Sequence, residues 1–254
     1  KAGQAVGNII SAGIIPAGLE MMDKPAIRAA EDFVRAGYPV EAEAILLCEL
    51  DGINAEVSEH LKAVHQILLD SGATEVRTAR DEAERAVFWK GRKSAFPAVG
   101  RISPDYYCID GTIPRKRLPE VLQRMAGLSE QYGLQVANVF HAGDGNLHPL
   151  ILFDANQPGE LERTEEFGGK ILEMCVEVGG TITGEHGVGM EKINQMCTQF
   201  NALELTQFHA VKHAFDPTGL LNPGKAVPTL HRCAEFGAMH VHNGELPFPE
   251  LERF

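Results

Sequence analysis

With 254 residues, 44% hydrophobic and 23% charged, the chain lies within the ordinary globular range and is long enough to bury one large core or two small ones. Acidic residues outnumber basic ones 35 to 23 and the Lys and Arg are scattered, so the surface is not built to neutralise phosphates, which argues against nucleic acid as a partner. No apolar run approaches the roughly 20 residues that span a bilayer, and residues 1–20 lack the basic start and cleavage site of a secretory signal, so the expectation is a soluble cytoplasmic protein.

The first part alternates regularly. An apolar strand is expected at 17–22, a helix at 24–36, a strand at 44–50, a helix at 54–69 and a third strand at 75–78. Val57, Leu61, Val64, Ile67 and Leu68 recur at helical spacing, whereas 44–50 is the nearly continuous apolar run of a central strand. After a helix at 82–96 the pattern repeats, with a strand at 106–109, a helix at 118–132, strands at 134–140 and 147–153, and a helix at 162–178. Two successive units of this kind predict an α+β fold of split β-α-β layers, with helices on one face of mostly antiparallel sheets. A short strand at 181–183 and a helix at 202–214, ended by Asp216-Pro217, complete the pattern.

The five cysteines (Cys48, Cys108, Cys175, Cys197 and Cys233) are odd in number, far apart and never in a Cys-x-x-Cys pair. That argues against disulfides, zinc knuckles and iron–sulfur clusters within the chain.

Two segments carry chemistry. The first, His141-Ala-Gly-Asp-Gly-Asn-Leu-His148, reads as strand, turn and strand, so a hairpin brings the two imidazoles together. Gly143 and Gly145 let the backbone turn tightly beside a ligand, and Asp144 and Asn146 can bond the turn's own amides. Taken alone, His141 and His148 also fit polar residues flanking a turn. The second, Gly184-Glu185-His186-Gly-Val-Gly189, sets two titratable side chains on a glycine-flanked turn at a strand end, a placement that functional residues favour. Neutral imidazoles with one carboxylate form a divalent-metal site that keeps positions free for a substrate hydroxyl, with His186 as a spare base. Zinc, iron and manganese all suit such ligands, zinc foremost. His186 alternatively serves as a supporting hydrogen-bond donor.

These two motifs, followed by Asp216-Pro-x-x-x-Leu-Asn222-Pro-Gly-Lys225, resemble in order and spacing the FAD-linked 2-hydroxy-acid oxidoreductases. The resemblance runs over essentially the whole chain, as the C-terminal half of such an enzyme. Residues 12–23 and 246–254 are similar in particular to the FAD-binding catalytic subunits of bacterial glycolate oxidases. It implies a ferredoxin-like, substrate-binding cap domain over 1–230 and a C-terminal tail over 231–254. The N-terminal FAD-binding domain, with its glycine-rich loop, is expected to be absent from this chain. The chain is therefore expected to carry little FAD and to be inactive by itself.

By the same resemblance His141, His148 and Glu185 hold the metal, His186 abstracts a proton, Arg92 grips the substrate carboxylate, and Asn222 and Lys225 help to seat FAD. Whether His186 takes the oxygen-bound or the carbon-bound proton stays open. Without the resemblance Arg92 is one cation of a solvated helix face with Arg85, Lys90 and Lys93, and the Asn222–Lys225 segment is a turn that redirects the chain. Relatives that accept dicarboxylates place polar or basic residues where this chain has Phe96 and Cys108, so a short monocarboxylate such as glycolate or D-lactate is expected. Electrons would pass to a flavin-related and an iron–sulfur partner subunit, with membrane contact only through them. A metal-dependent hydrolase and a non-catalytic assembly domain with a vestigial site remain alternatives. In the tail, His231, His240 and His242 with Cys233 lack a nearby acid, and a flexible or partner-binding segment is the better reading.

Overall fold

The computed structural model describes residues 1–228 and divides into two compact units, Lys1–Glu185 and His186–Phe254. In the first, α1 (Ala2–Ser11) is followed by β1 (Gly18–Asp23), α2 (Lys24–Val34), β2 (Ala44–Glu49) and α3 (Asn54–Asp70). Next come α4 (Glu82–Lys93), α5 (Ala95–Val99), β3 (Asp105–Cys108) and β4 (Gly111–Thr112). A single 3-10 turn (Arg115–Arg117) then leads into α6 (Leu118–Tyr132), β5 (Val136–Phe140), β6 (Asn146–Leu147), β7 (Pro149–Phe153) and α7 (Glu160–Glu177).

Strands of both repeats join one five-stranded sheet in the order β2-β1-β5-β7-β3, and every pairing is antiparallel. The seam is β1 against β5, where Met21 pairs with Phe140 and Met22 with Val139. Adjacent residues of one strand, such as Met21 and Met22, are both buried, which requires cover on both faces. On one face Met22, Val139, Leu150 and Leu152 form a core with Ala26, Ile27 and Ala30 of α2 and Ala95, Ala98 and Val99 of α5. On the other face α7 lies against β3 and β7, its Gly168 facing Tyr107 and Ile109. Helices therefore cover both faces of the joined sheet, not one.

Local chemistry sets the element ends. Asp23 closes β1 and caps α2 by accepting from the Ala26 amide, with Pro25 preset in the first turn. The strand expected at 75–78 is absent: Arg77 donates to the Gly37 carbonyl at 2.8 Å and stacks over Phe88 at 5.0 Å, which ties the segment to α4 rather than to the sheet edge. At 181–183 only Thr181 bridges, to Thr112, because the amides of Gly184 and Glu185 turn to the Asp110 carboxylate. The helix expected over 82–96 breaks at Ser94 into α4 and α5.

The second unit carries α8 (Met196–Gln199) and α9 (Ala202–Phe215), the latter opened by a capping box between Asn201 and Glu204. Asp216 ends α9 by accepting from the amides of Leu220 and Leu221. Cys48, Cys108 and Cys175 are free thiols. His231, Cys233, His240 and His242, and with them the tail over 231–254, lie outside the described residues.

Candidate metal and substrate site

The hairpin between β5 and β7 is clamped from two sides. Gly143 donates to the Leu19 carbonyl at 2.8 Å, Ile113 donates to the Gly145 carbonyl at 2.9 Å, and Arg115 donates to the Gly143 carbonyl at 3.0 Å. Gly145 has φ +77°, and a Cβ there would stand 2.2 Å from the Ile113 oxygen, so only glycine fits. Asn146 does not bond the turn's amides; its side-chain oxygen accepts from the Thr112 hydroxyl at 3.3 Å. Asp144 is exposed at the tip.

The clamp sets His141 just past β5 and His148 just before β7, their rings edge to face at 5.1 Å. His148 is buried, its Nε2 3.1 Å from Glu185 Oε1 and 3.6 Å from Asp110 Oδ1. His141 is half-buried, its Nε2 3.9 Å from the same Glu185 oxygen and its Nδ1 2.9 Å from Glu20 Oε1. That hydrogen bond to Glu20 raises the His141 pKa above the usual histidine value, although burial and the nearby Arg92 charge act against it. Ligand atoms of Asp110, His148 and Glu185 lie within 4.8 Å of one another. Glu185 is exposed, which leaves this side of the group open.

Two members of the arrangement are not among the residues singled out from the sequence. Asp110 is fully buried and accepts from the Thr183 hydroxyl at 2.8 Å and from the amides of Gly184 and Glu185, so it fixes the backbone that presents Glu185. Glu20 is 8% exposed and bridges His141 to Arg92, whose Nη2 lies 2.7 Å from its Oε2. The signal for Glu20 is present in the sequence: it is a lone carboxylate in the apolar strand Gly-Leu-Glu-Met-Met. Asp110 offers no comparable signal.

Arg92 is buried, not solvated as its helix neighbours suggest. Gly91 admits Tyr38, since a Cβ there would stand 2.4 Å from the phenol ring, and Gly18 likewise admits the tip of Trp89. The Trp89 contact brings α4 against the start of β1, and Arg92 on the same helix lies at Glu20. Phe96 of α5 meets the His148 ring edge-on at 5.9 Å, and Cys108 is half-buried on β3. His186 directly follows Glu185, begins the second unit and is exposed. Asn222, with φ +45°, and Lys225 are exposed in a turn of the second unit whose Ala226 amide donates to the Gly189 carbonyl at 2.7 Å.

Imidazoles, carboxylates and an arginine thus meet at one end of an antiparallel sheet in an α+β fold. Residues 1–226 match the family of FAD linked oxidases, C-terminal domain, and the chain belongs to it. It is 75% identical over all 254 residues to the glycolate oxidase subunit GlcD of Escherichia coli (strain K12), of which it spans 51%. It is 38% identical over 224 residues to the glycolate oxidase subunit GlcD of Bacillus subtilis (strain 168), covering 88% of this chain and 48% of that one. The chain thus spans about half the length of these relatives. Among solved structures, p-cresol methylhydroxylase with substrate bound shares the fold at a TM-score of 0.65 and 14% identity, over 90% of this chain and 51% of that one.

Proposed function

We propose that the chain is the C-terminal, substrate-binding half of a flavoenzyme that oxidises a small 2-hydroxy acid, glycolate foremost and D-lactate as a second substrate, to the 2-oxo acid. His141, His148 and Glu185 would hold a divalent metal, zinc foremost and iron or manganese as alternatives. The observation that carries the reading is the convergence of two imidazoles and a carboxylate at one opening, beside an arginine anchored in the protein interior. Two neutral nitrogens and one or two oxygens form a donor set that suits such a cation.

When bound, the metal would lower the pKa of the substrate hydroxyl, and FAD, held mainly by a segment outside these 254 residues, would accept the 2-hydrogen as hydride. His186 would accept the hydroxyl proton as the carbonyl forms. Arg92 anchors the substrate carboxylate, the planar match that a guanidinium offers. Phe96 sets an aromatic ring against His148 where a second carboxylate would need a cation, which favours a monocarboxylate. Asn222 and Lys225 contribute to seating FAD. The cap domain covers 1–230 and the tail follows from 231.

Since the relatives are subunits, we place this chain in an assembly, with a flavin-related and an iron–sulfur partner receiving the electrons. No helix among the described residues is long and apolar enough to cross a membrane. The reading is of a cytoplasmic protein, peripheral to the inner membrane through its partners.

The test is metal content by plasma mass spectrometry on tag-free protein purified without chelators, beside Glu185→Ala. About one equivalent of a divalent metal in the parent and its loss in the variant is the expected result; absence of metal from both overturns the assignment. Flavin absorbance stoichiometric with the chain would overturn the placement of FAD outside it.

A further inference from the structure

We infer that Glu20 is the positioning residue of this site, one carboxylate oxygen orienting His141 and the other anchoring Arg92, so that metal capture and carboxylate capture share a single support. The inference rests on the reading of His141, His148 and Glu185 as a metal centre.

Glu20 lies in β1 between Leu19, Met21 and Met22, which are 3%, 1% and 0% exposed. A carboxylate is costly in an apolar sheet unless its oxygens are engaged. Oε1 is hydrogen-bonded to His141 Nδ1 at 2.9 Å, and Oε2 has the Arg92 charge beside it, Nη2 at 2.7 Å, as an ion pair without a well-aligned hydrogen bond. The register explains the first contact. Met21 pairs with Phe140, so one step along the antiparallel ladder sets Glu20 opposite His141.

Helix docking explains the second. Gly18 and Glu20 are two residues apart and share a face of β1, while Trp89 and Arg92 are three apart and share a face of α4. The Trp89 ring tip would lie 3.0 Å from a Cβ at Gly18, so the glycine lets the helix approach until the guanidinium reaches Glu20.

Glu20 does more than neutralise Arg92. An imidazole presents one lone pair when neutral, and the hydrogen bond made by one ring nitrogen decides which nitrogen offers it. With Nδ1–H donated to Glu20, His141 offers Nε2, the atom that faces Glu185 at 3.9 Å. A role limited to charge balance would require nothing of His141.

The test compares two double variants of the full chain, Glu20→Gln/Arg92→Met and Glu20→Leu/Arg92→Met. Both remove the ion pair as a unit, and they differ in whether position 20 can accept a hydrogen bond from His141. Zinc is titrated into each against a Glu185→Ala baseline, with folding checked by thermal melting. Glu20→Gln/Arg92→Met should retain the parent's zinc affinity within about threefold, and Glu20→Leu/Arg92→Met should lose roughly 10- to 100-fold, the usual effect of removing a ligand's supporting hydrogen bond. Equal zinc affinity in the two folded variants overturns the inference.

If the parent binds no zinc, the metal reading falls and Glu20 is judged by the 15N resonances of His141. Hydrogen on Nδ1 in the parent and the Gln variant, lost in the Leu variant, sustains the orienting role. The same tautomer in all three removes it.

Discussion

Gly145 and Ile113 exchange a close backbone contact: the Ile113 amide donates to the Gly145 carbonyl at 2.9 Å, while a Cβ on Gly145 would meet the Ile113 oxygen at 2.2 Å. The turn between His141 and His148 therefore has no room for a side chain. Gly145→Ala should cost roughly 1–3 kcal/mol from backbone strain alone, more with the displaced carbonyl. We expect a lower urea midpoint together with weaker zinc binding, because both imidazoles hang from this turn. A variant with the parent's midpoint and zinc affinity would show that the turn adapts.

Asp110 should matter for metal binding without being needed as a ligand. Asp110→Ala removes the acceptor for the Thr183 hydroxyl and for the Gly184 and Glu185 amides, which loosens the backbone that presents Glu185. Amide hydrogen exchange should accelerate at Gly184 and Glu185, and zinc affinity should fall as Glu185 loses its placement. Unchanged exchange at these two amides would count against the role.

Arg92→Met alone should be much more damaging than its combination with Glu20→Gln. The single change leaves Glu20 buried without its cation, at roughly 3–5 kcal/mol, whereas removing both charges is often close to neutral. Thermal melts of the two variants decide this, and a single variant at least as stable as the double would refute it.

The pH dependence of stability should carry the signature of Asp23. Burial raises its pKa from 3.8 to about 6, against the hydrogen bonds from Asn138 and Ala26. The folded state therefore holds this proton more tightly than the unfolded chain. The resulting stability is fully present below about pH 4 and is lost as pH rises through about 6, by about 3 kcal/mol at most. Asp23→Asn should flatten this part of the profile and leave the cap on α2 in place. Denaturant titrations between pH 4 and 7 giving parallel profiles for both proteins would exclude the effect.

The strands and helices that follow hydrophobic periodicity were legible within a few residues, from β1 and α2 through β7 and α7. The strand expected at 75–78 was not real, since four residues of mixed polarity carry the same local pattern as a strand and only the Arg77 contacts with Gly37 and Phe88 reveal the loop. Helix α1 escaped notice because Ala-Gly-Gln-Ala-Val-Gly has two glycines, and its helicity comes from burying Ala5, Val6 and Ile9.

By itself the sequence determined the hairpin that pairs His141 with His148 and the glycine-flanked turn that carries Glu185, because strand alternation and turn chemistry are local properties. Only the tertiary structure decided which carboxylates support them. Glu20 reaches His141 across 121 positions and Asp110 reaches Glu185 across 75, separations set by strand register and not by any nearby residue. The same holds for Arg92, a surface cation by its neighbours and a buried one by the docking of α4 on β1.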